Sequence, residues 1–501
     1  MDIQYIIVQA GGKGTRMEQL THNKPKALVP VNNLPMLFHL FRKYPDKHFI
    51  VIGDYKYDVL KKYLHAFADV DYKLVCGSGA TGTCAGIQDA LRFIPAGYPF
   101  MLIWSDLVLP DTFNLPVKSG NYVGISQDFP CRWSYREKQY IEERSTEFGV
   151  AGLFVFGEKD LLHDVPTTGE FVRWLSQRNI PMEPLGLTKT KEYGLISEYR
   201  KNIAPQKCRP FNRITVEENI IIKEGIDEQG RKLAQRECAW YHQVMDHGFA
   251  QIPHIYGINP LRMERIDGEN IYTYTDLPYA AKRKILEQII DCLKNVQTLG
   301  TVPADFDSYQ EAYIGKTFDR LNKIYDLVPF AHDETITING KKCRNVFFHK
   351  EELNQAVAKY FPSTFKFIHG DCTFSNTLLR SDGTPMLIDP RGYFGNTELY
   401  GDPAYDWAKL YYSVVGNYDQ FNLKRFVLDI REQDVTLSIE SNHWEDMEPV
   451  FFELLKDNVT ERQIKLFHAI IWLSLTTYAW EDYDSICGAF YNGLYYLEDV
   501  L

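Results

Sequence analysis

Two stretches of the chain place charged and amide side chains at spacings that suit phosphate chemistry. The first is the run Gln9-Ala10-Gly11-Gly12-Lys13-Gly14-Thr15-Arg16, which follows an apolar, strand-like segment. Glycines let the backbone approach a ligand closely and point N–H groups at phosphate oxygens. A tight turn between a strand and a helix would have similar glycines. Lys13, Arg16 and Lys26, the last in Lys24-Pro25-Lys26-Ala27-Leu28, add positive charge and favour a triphosphate site.

The second stretch is His369-Gly370-Asp371-Cys372-Thr373-Phe374-Ser375-Asn376, and a further apolar run ends at Asp389. Phosphoryl transfer needs a carboxylate beside the attacking hydroxyl and oxygen ligands for Mg²⁺. We therefore predict that Asp371 is the catalytic carboxylate and that Asn376 and Asp389 are metal ligands.

The elements that must position these residues differ between two parts of the chain. Up to about residue 200, apolar runs alternate with amphipathic stretches, which predicts an α/β, mostly parallel, doubly wound sheet. Beyond it, two strand-like runs precede long helical patterns, which predicts a small sheet followed by a helical mass. We place the first domain at residues 1–203, a Pro-containing linker at 204–211 and the second domain at 212–501.

The composition agrees with two domains of an intracellular protein. A chain of 501 residues exceeds what one core usually organises, and a net charge of −11 argues against a nucleic-acid partner. The nine cysteines show no CxxC spacing, as expected for reduced thiols. No leader peptide and no apolar stretch near the roughly 20 residues of a membrane helix are visible. We expect a cytoplasmic protein without membrane insertion; the oligomeric state is left open.

The first domain resembles the sugar-phosphate nucleotidyltransferases, through Gly12-Lys13-Gly14-Thr15-Arg16-Met17 and Pro25-Lys26-Ala27-Leu28. The resemblance implies in-line attack of a phosphate monoester on the α-phosphorus of an NTP, with Mg²⁺ as cofactor. It implies catalytic roles for Lys26 and Arg16 and metal binding by Asp106. The compact domain looks like the phosphocholine cytidylyltransferase branch.

Two loops would hold the nucleotide in this resemblance. The implied nucleotide-binding residues are Ala10, Gly11, Gly12, Lys13, Gly14, Thr15, Gly79, Thr81, Gly82 and Thr83. The second metal ligand of the family falls nearest Glu192, for which an ordinary surface glutamate is the alternative.

The second domain resembles the aminoglycoside phosphotransferase and choline kinase family, through the His-Gly-Asp motif with its Asn and through Ile388-Asp389-Pro390. The resemblance implies an α+β protein-kinase-like fold with a small lobe at 212–268 and a helical lobe at 269–501. It implies that Lys223 binds the ATP phosphates and that Glu237 pairs with it. Glu264 and Ile266 match the hinge that reads adenine.

The acceptor residues are predicted from aromatic and acidic side chains after the second metal ligand: Asp402, Tyr405, Asp406, Trp407 and Trp480. Ring faces with nearby carboxylates would suit a cationic alcohol. The alternative is a helical core whose aromatic side chains face inward and whose acids face water.

Together the two resemblances predict a bifunctional enzyme for surface glycans or lipids. A small alcohol such as choline or ethanolamine would be phosphorylated with ATP, and an NTP, CTP by resemblance, would then supply a nucleotidyl group. The alternative is a sugar kinase joined to a sugar-phosphate nucleotidyltransferase that makes an NDP-sugar for a capsule or surface polysaccharide. A third interpretation is a nucleotide-sensing regulator with an inactive kinase, against which Asp371, Asn376 and Asp389 argue.

Overall fold

The computed structural model describes residues 1–77, 79, 81–202 and 212–501. Their contacts divide into two compact units, Met1–Pro205 with Glu481–Tyr483, and Gln206–Trp480 with Asp484–Leu501. The predicted linker at 204–211 lies outside the described residues. Within the described part of the chain, no helix combines the length and apolarity needed to cross a membrane.

The first unit alternates strands and helices. Its strands are β1 Tyr5–Gln9, β2 Pro30–Val31, β3 Leu34–Pro35, β4 His48–Gly53, β5 Tyr72–Cys76, β6 Phe100–Trp104, β7 Leu107–Val108, β8 Tyr122–Ser126, β9 Ser134–Arg136, β10 Gln139–Ile141, β11 Gly149–Phe156, β12 Glu183–Gly186 and β13 Lys191–Glu192. Its helices are α1 Met36–Lys43, α2 Tyr57–Phe67, α3 Ile87–Leu91, α4 Phe171–Ser176 and α5 Ile196–Asn202.

A single twisted sheet organises this unit, in the order β10-β9-β11-β6-β1-β4-β5, with β8 and β12 attached beside β11. The strands β6, β1, β4 and β5 are parallel, and β11 runs antiparallel to β6. The middle residues of β1 and nearly all of β6 are buried, which is why they read as continuous apolar runs. Because parallel strands end at the same edge, the loops after β1 and β6 lie side by side.

The second unit begins with strands and continues mainly with helices. Its strands are β14 Asn212–Glu217, β15 Ile220–Gly225, β16 Ile255–Ile258, β17 Leu261–Glu264, β18 Gly268–Asn270, β19 Thr301–Pro303, β20 Thr335–Ile338, β21 Lys341–Arg344, β22 Thr364–Phe367, β23 Thr377–Arg380, β24 Pro385–Leu387, β25 Tyr393–Phe394, β26 Thr397–Glu398, β27 Tyr400–Gly401, β28 Phe426–Ile430 and β29 Val435–Ile439. Its helices are α6 Glu228–Asp246, α7 Tyr279–Gln297, α8 Phe306–Gln310, α9 Lys316–Ile324, α10 Lys350–Ala358, α11 Pro403–Val414, α12 Tyr418–Asn422, α13 Glu448–Leu455, α14 Glu461–Leu475 and α15 Tyr483–Leu497.

Two layers of this unit meet at its chemistry-bearing residues. An antiparallel sheet, in the order β14-β15-β17-β16, packs against α6. The hairpin of β23 and β24 carries Asn376 at its start and Asp389 just after its end, and the buried helix α11 packs against α14 behind it. The segment between β22 and β23 therefore holds Asp371 over a rigid helical base.

Candidate active sites

The glycine-rich loop after β1 is built from close backbone approaches. Gly14 has a φ of +64°, and a Cβ on it would lie 2.9 Å from Thr21 Cγ2 and 3.1 Å from Lys26 Cβ. Any side chain at Gly14 would therefore displace Lys26. Gly11 approaches Asp54 in the same way, since a Cβ there would lie 2.9 Å from the Asp54 Cβ. The glycines fix the loop and, with it, the stem of Lys26.

The rest of that loop is accessible. Ala10 is buried at the end of β1, whereas a Cβ on Gly12 would meet no atom within 4 Å. The side chains of Lys13, Thr15 and Arg16 are exposed. The structure thus brings together a fixed backbone and exposed cationic side chains, of which Lys13 lies 5.7 Å from the centre of the Tyr55 ring.

The second predicted nucleotide loop is attached to β1 through Gln9. Gln9 Nε2 donates to the carbonyl oxygens of Thr83 at 2.8 Å and Ala85 at 3.1 Å. Gly82 has a φ of +99°, and a Cβ on it would lie 2.2 Å from Gly169 O, so the loop lies directly on the neighbouring segment. The predicted ligand-contacting residues, which this loop leaves exposed or half-buried, are Gly79, Thr81, Gly82 and Thr83.

Asp106 and Glu192 come together at the end of β6. The pairing of β13 with β7 places Glu192 opposite Leu107, and Tyr193 N–H donates to Asp106 O at 3.0 Å. Lys26 Nζ lies 2.5 Å from Asp106 Oδ2. Burial raises the pKa of Glu192 to about 7, and the charge of Asp106 adds to that effect. The predicted second metal ligand is thus adjacent to the first.

These two carboxylates fit Mg²⁺. Asp106 Oδ1 is buried and has no hydrogen-bond partner among the described residues. Over the same residues no group of three or more His, Cys, Asp and Glu side chains forms a metal site. A pair of carboxylates agrees with Mg²⁺, which commonly binds one or two of them together with substrate phosphates.

A bulge in β11 supports the strand that carries Asp106. Gly152 in this strand has a φ of +74°, and a Cβ on it would lie 1.9 Å from the Trp104 ring. The register between β8 and β11 shifts between Val150 and Phe154, as expected for a bulge. Trp104 is the last residue of β6 and lies two residues before Asp106. Because Gly152 leaves room for the Trp104 ring, it determines the position of this end of β6.

In the second unit Lys223 lies between two carboxylates. Its Nζ is 2.7 Å from Glu237 Oε2 and 2.6 Å from Asp389 Oδ1. Burial lowers the pKa of Lys223, but Asp389 and Glu237 outweigh burial and hold it above the usual value. The lysine is therefore charged and points to the end of the β23–β24 hairpin, where ATP phosphates and a metal would meet.

Asp371 has two neighbours that hold its carboxylate. Asn376 Nδ2 donates to Asp371 O at 2.8 Å and to Asp371 Oδ2 at 3.1 Å, and Lys409 Nζ lies 2.9 Å from Asp371 Oδ1. Burial raises the pKa of Asp371, but Lys409 and Arg391 lower it more, so that it stays below its usual value. The Asn376 amide nitrogen is engaged, which leaves its oxygen, with Asp389, as the donor set for Mg²⁺.

The predicted hinge connects the antiparallel sheet to β18. Glu264 ends β17, its N–H donates to His254 O at 2.8 Å, and its carboxylate accepts from Arg380 at 2.6 Å. Ile266 is buried in the short connection that follows. The adenine-binding role of this connection stays a prediction.

The acceptor role predicted for Asp406 needs correction. Its carboxylate accepts the N–H groups of His369 at 3.0 Å and Gly370 at 2.7 Å, and it is fully buried. Asp406 therefore positions the residues that precede Asp371, and its buried carboxylate is not exposed to an acceptor. Trp407, which is 1% exposed, belongs to the core.

Asp402 also has internal partners. It caps α11 by accepting the Ala404 N–H at 3.0 Å, and it accepts the Tyr313 O–H at 2.9 Å. Tyr405 is buried except for its edge and receives a hydrogen bond from Arg391, whereas Trp480 is half-buried. The predicted aromatic and acidic cage is thus largely the inward face of a helix.

Four cations near Asp371 escaped the sequence-based predictions: Lys316, Arg320, Arg391 and Lys409. Lys409 had a usable signal, because it is a lone lysine in the almost wholly buried helix α11 and such a charge needs a partner. Lys316 and Arg320 lie four residues apart on α9, and Arg391 lies two residues after Asp389, but no local pattern shows that these two segments approach each other.

Both units of the chain contain a segment that matches the model of a known protein family. Residues 6–115 match the MobA-like NTP transferase domain, and residues 227–431 match the phosphotransferase enzyme family. The chain joins an NTP transferase domain to a phosphotransferase domain. The two predicted resemblances and the predicted fold class are confirmed.

Individual relatives match shorter parts of the chain. D-glycero-α-D-manno-heptose 1-phosphate guanylyltransferase of Campylobacter jejuni is 32% identical over 92 residues, 18% of this chain and 42% of that protein. The probable glucose-1-phosphate cytidylyltransferase of Bacillus subtilis is 34% identical over 70 residues, 13% of this chain and 26% of that protein. The chain thus spans less than half of the length of these curated relatives. The solved structure of HddC from Yersinia pseudotuberculosis is 18% identical, with a TM-score of 0.35, over 40% of this chain and 98% of that one.

Proposed function

We propose that the two domains catalyse successive steps, the phosphorylation of an alcohol by ATP and the transfer of a nucleotidyl group from an NTP to the resulting phosphate ester. The observation that supports this proposal is that each unit contains a buried lysine paired with an aspartate from its predicted metal site. Lys26 with Asp106 does so in the first unit, and Lys223 with Asp389 does so in the second. The complete phosphotransferase set argues against an inactive regulator.

In the first step the acceptor hydroxyl attacks the γ-phosphorus of ATP. The acceptor O–P bond forms, the bond from this phosphorus to the β,γ-bridging oxygen breaks, and ADP leaves. Asp371 takes the hydroxyl proton, since Lys409 keeps it ionised and oriented. Lys223, fixed by Glu237, binds the ATP phosphates. Mg²⁺ held by Asn376 and Asp389 would offset the phosphate charge.

In the second step an oxygen of the new phosphate ester attacks the α-phosphorus of an NTP. The α–β bridging bond breaks, and pyrophosphate leaves with the charge that builds on its oxygen. Lys26 and Arg16 offset that charge, and the backbone of Gly11 and Gly12 binds the phosphates. Mg²⁺ held by Asp106 and Glu192 would polarise the α-phosphate.

The alcohol in this proposal is a sugar or polyol. The relatives' names support it, because they refer to heptose 1-phosphate and glucose 1-phosphate. The burial of Trp407 removes one wall of the predicted cage for choline or ethanolamine, which remain the alternative acceptors. One relative is named a guanylyltransferase and another a cytidylyltransferase, so CTP stays one prediction among several for the NTP.

Product analysis tests the proposal. The full chain is incubated with Mg²⁺, ATP and each NTP in turn, against sugars, polyols, choline and ethanolamine, and products are read by mass spectrometry. We expect one alcohol to gain a phosphate with ATP and then an NDP-linked product with one NTP. Failure of every alcohol to gain phosphate, in protein that binds ATP, would contradict the first step.

A further inference from the structure

A cluster of cations adjoins the loop that carries Asp371. We name Lys316, Arg320 and Arg391 the cationic cluster; Lys316 and Arg320 lie on α9, and Arg391 follows the metal ligand Asp389. The backbone N–H of Arg391 donates to His369 O at 2.8 Å, and a Cβ on Gly370 would lie 2.8 Å from the Arg391 Cβ. The cluster therefore adjoins the catalytic loop directly.

The three cations have no acidic partner of their own. Among the described residues none of the three forms a salt bridge with a carboxylate; Arg320 Nη1 instead donates to Ser474 O at 2.5 Å and to Ser474 Oγ at 3.0 Å. Asp371 is already paired with Lys409. Burial lowers the pKa of Lys316, and the charges of Arg391, Arg320 and Lys409 lower it further. An anion bound here would relieve that repulsion.

Two tyrosines tie the cluster into one surface. Arg391 Nη1 donates to Tyr405 Oη and Arg391 Nη2 donates to Tyr393 Oη, each at 3.0 Å. Each phenol oxygen accepts from Arg391, so each O–H hydrogen remains available to donate to a ligand. Arg391 thus lies between the hydroxyl of Tyr393, which is half-buried, and that of Tyr405, which is buried.

Cations of the protein itself already lie near the two tyrosine rings. Lys316 Nζ lies 5.6 Å and Lys409 Nζ lies 6.0 Å from the centre of the Tyr405 ring. The guanidinium carbons of Arg236 and Arg391 lie 4.2 Å and 4.8 Å from the centre of the Tyr393 ring. A cationic acceptor would meet repulsion from these cations at the two tyrosines.

The cluster is distinct from the residues assigned to ATP. Lys223 is held by Glu237 and Asp389, and it shares no ion pair with the cluster among the described residues. Arg391 is the member of the cluster that acts on Asp371, because its charge, together with that of Lys409, lowers the pKa of that carboxyl. A group bound at Arg391 would therefore lie next to the proposed base.

We infer that the alcohol phosphorylated by this domain carries an anionic group, a phosphate or a carboxylate, which binds to Lys316, Arg320 and Arg391. This inference rests on the proposed kinase step and narrows its substrate to a sugar phosphate or a hydroxy acid. The transfer itself is unchanged: the free hydroxyl gains the γ-phosphoryl group, and the anionic group serves only for binding.

Calorimetric titration of the full chain, with a non-hydrolysable ATP analogue present, tests this inference without turnover. The probes are glucose 6-phosphate, glucuronate, inorganic phosphate, glucose and choline. We expect at least one anionic probe to bind tenfold or more tightly than glucose and choline. Lys316→Ala and Arg320→Ala should each weaken that binding about tenfold or more, and Lys316→Arg should restore it. Lys284→Ala, which removes an exposed lysine on α7, should leave it unchanged.

Two results would overturn the inference: choline or glucose binding as tightly as every anionic probe, or anion binding that both cluster variants leave intact. Comparison of the glucose 6-phosphate and glucuronate titrations tells a phosphate from a carboxylate. Turnover is measured separately with ATP. If the anion binds at the cluster but no anionic alcohol is ever phosphorylated, the proposed kinase step fails while the anion site stands.

Discussion

Lys26 is a buried residue to which we assign a role in the proposed chemistry of the NTP transferase domain. Its stem is confined by Gly14 and its ammonium group pairs with Asp106, so it is oriented before any substrate binds. A charge held in place in this way acts most strongly where negative charge develops during the reaction.

Lys26→Met should therefore lower the turnover number of nucleotidyl transfer by about 10²-fold or more, with a smaller change in the apparent NTP constant. Steady-state kinetics of pyrophosphate release measure both. Lys61→Met, an exposed change on α2, serves as the control and should alter neither constant. An unchanged turnover number with only weaker NTP binding would show that Lys26 serves binding alone.

Gly152 is the residue on which the position of Trp104 depends. Gly152→Ala places a methyl group into the Trp104 ring and forces an L-residue into a left-handed conformation. We expect a loss of unfolding free energy of about 1–3 kcal/mol and a fall in nucleotidyl transfer, because Asp106 moves with β6. Denaturant unfolding measures the first effect. Gly186→Ala, where a Cβ would meet nothing within 4 Å, should be nearly neutral, and equal effects of the two changes would refute this role.

At the scale of elements, helix α11 organises the phosphotransferase site from beneath. Its Asp406 accepts two N–H groups of the catalytic loop, and its Lys409 pairs with Asp371. Its cap, Asp402, is buried at the other end of the same face. One helix therefore fixes both the path of the loop and the orientation of the base.

Asp402 gives this helix a pH-dependent stability. Burial raises the pKa of Asp402 to about 7, against hydrogen bonds from Ala404 and Tyr313 that lower it. The folded state then binds the proton more tightly than the unfolded state, so the contribution of Asp402 to stability is complete below about pH 4 and is lost as the pH rises through 7.

Asp402→Asn keeps the cap and removes the titration, since Asn is an equally good N-cap. We expect this variant to gain stability relative to the native chain between pH 5 and pH 8, by on the order of 1 kcal/mol. Denaturation midpoints at the two pH values measure the gain. Asp457→Asn, an exposed change with the same loss of charge, should show none. A gain that does not depend on pH would show that Asp402 is ionised in both states.

The sequence predicts where these strands and helices lie better than it predicts which side of each one faces a ligand. The apolar runs of β1 and β6 are visible because parallel strands are buried on both sides, and the spacing from Asp371 to Asn376 is local. Trp407 and Asp406 were misplaced because α11 is apolar on nearly every face, so composition does not tell a ligand-facing side from a core-facing one. Lys316 and Arg391 are far apart in the sequence, and only the folded chain brings them close together.

At the scale of the whole molecule, the two resemblances could be found in sequence because each rests on a compact motif. Glu192 shows what such motifs cannot predict. Its approach to Asp106 depends on the pairing of β13 with β7, which no short motif encodes. The order of the two proposed reactions follows from chemistry alone, since a phosphate ester must exist before it can be joined to a nucleotide.

The central claim is that one chain holds two independent active sites, and matched isosteric variants test it most directly. Phosphorylation of the alcohol and nucleotidyl transfer to a supplied phosphate ester are measured separately in Asp371→Asn and Asp106→Asn, with folding checked by thermal unfolding. We predict that Asp371→Asn lowers phosphorylation by about 10²–10⁴-fold and leaves nucleotidyl transfer within about twofold, and that Asp106→Asn does the reverse. Loss of both activities in either folded variant would contradict the account.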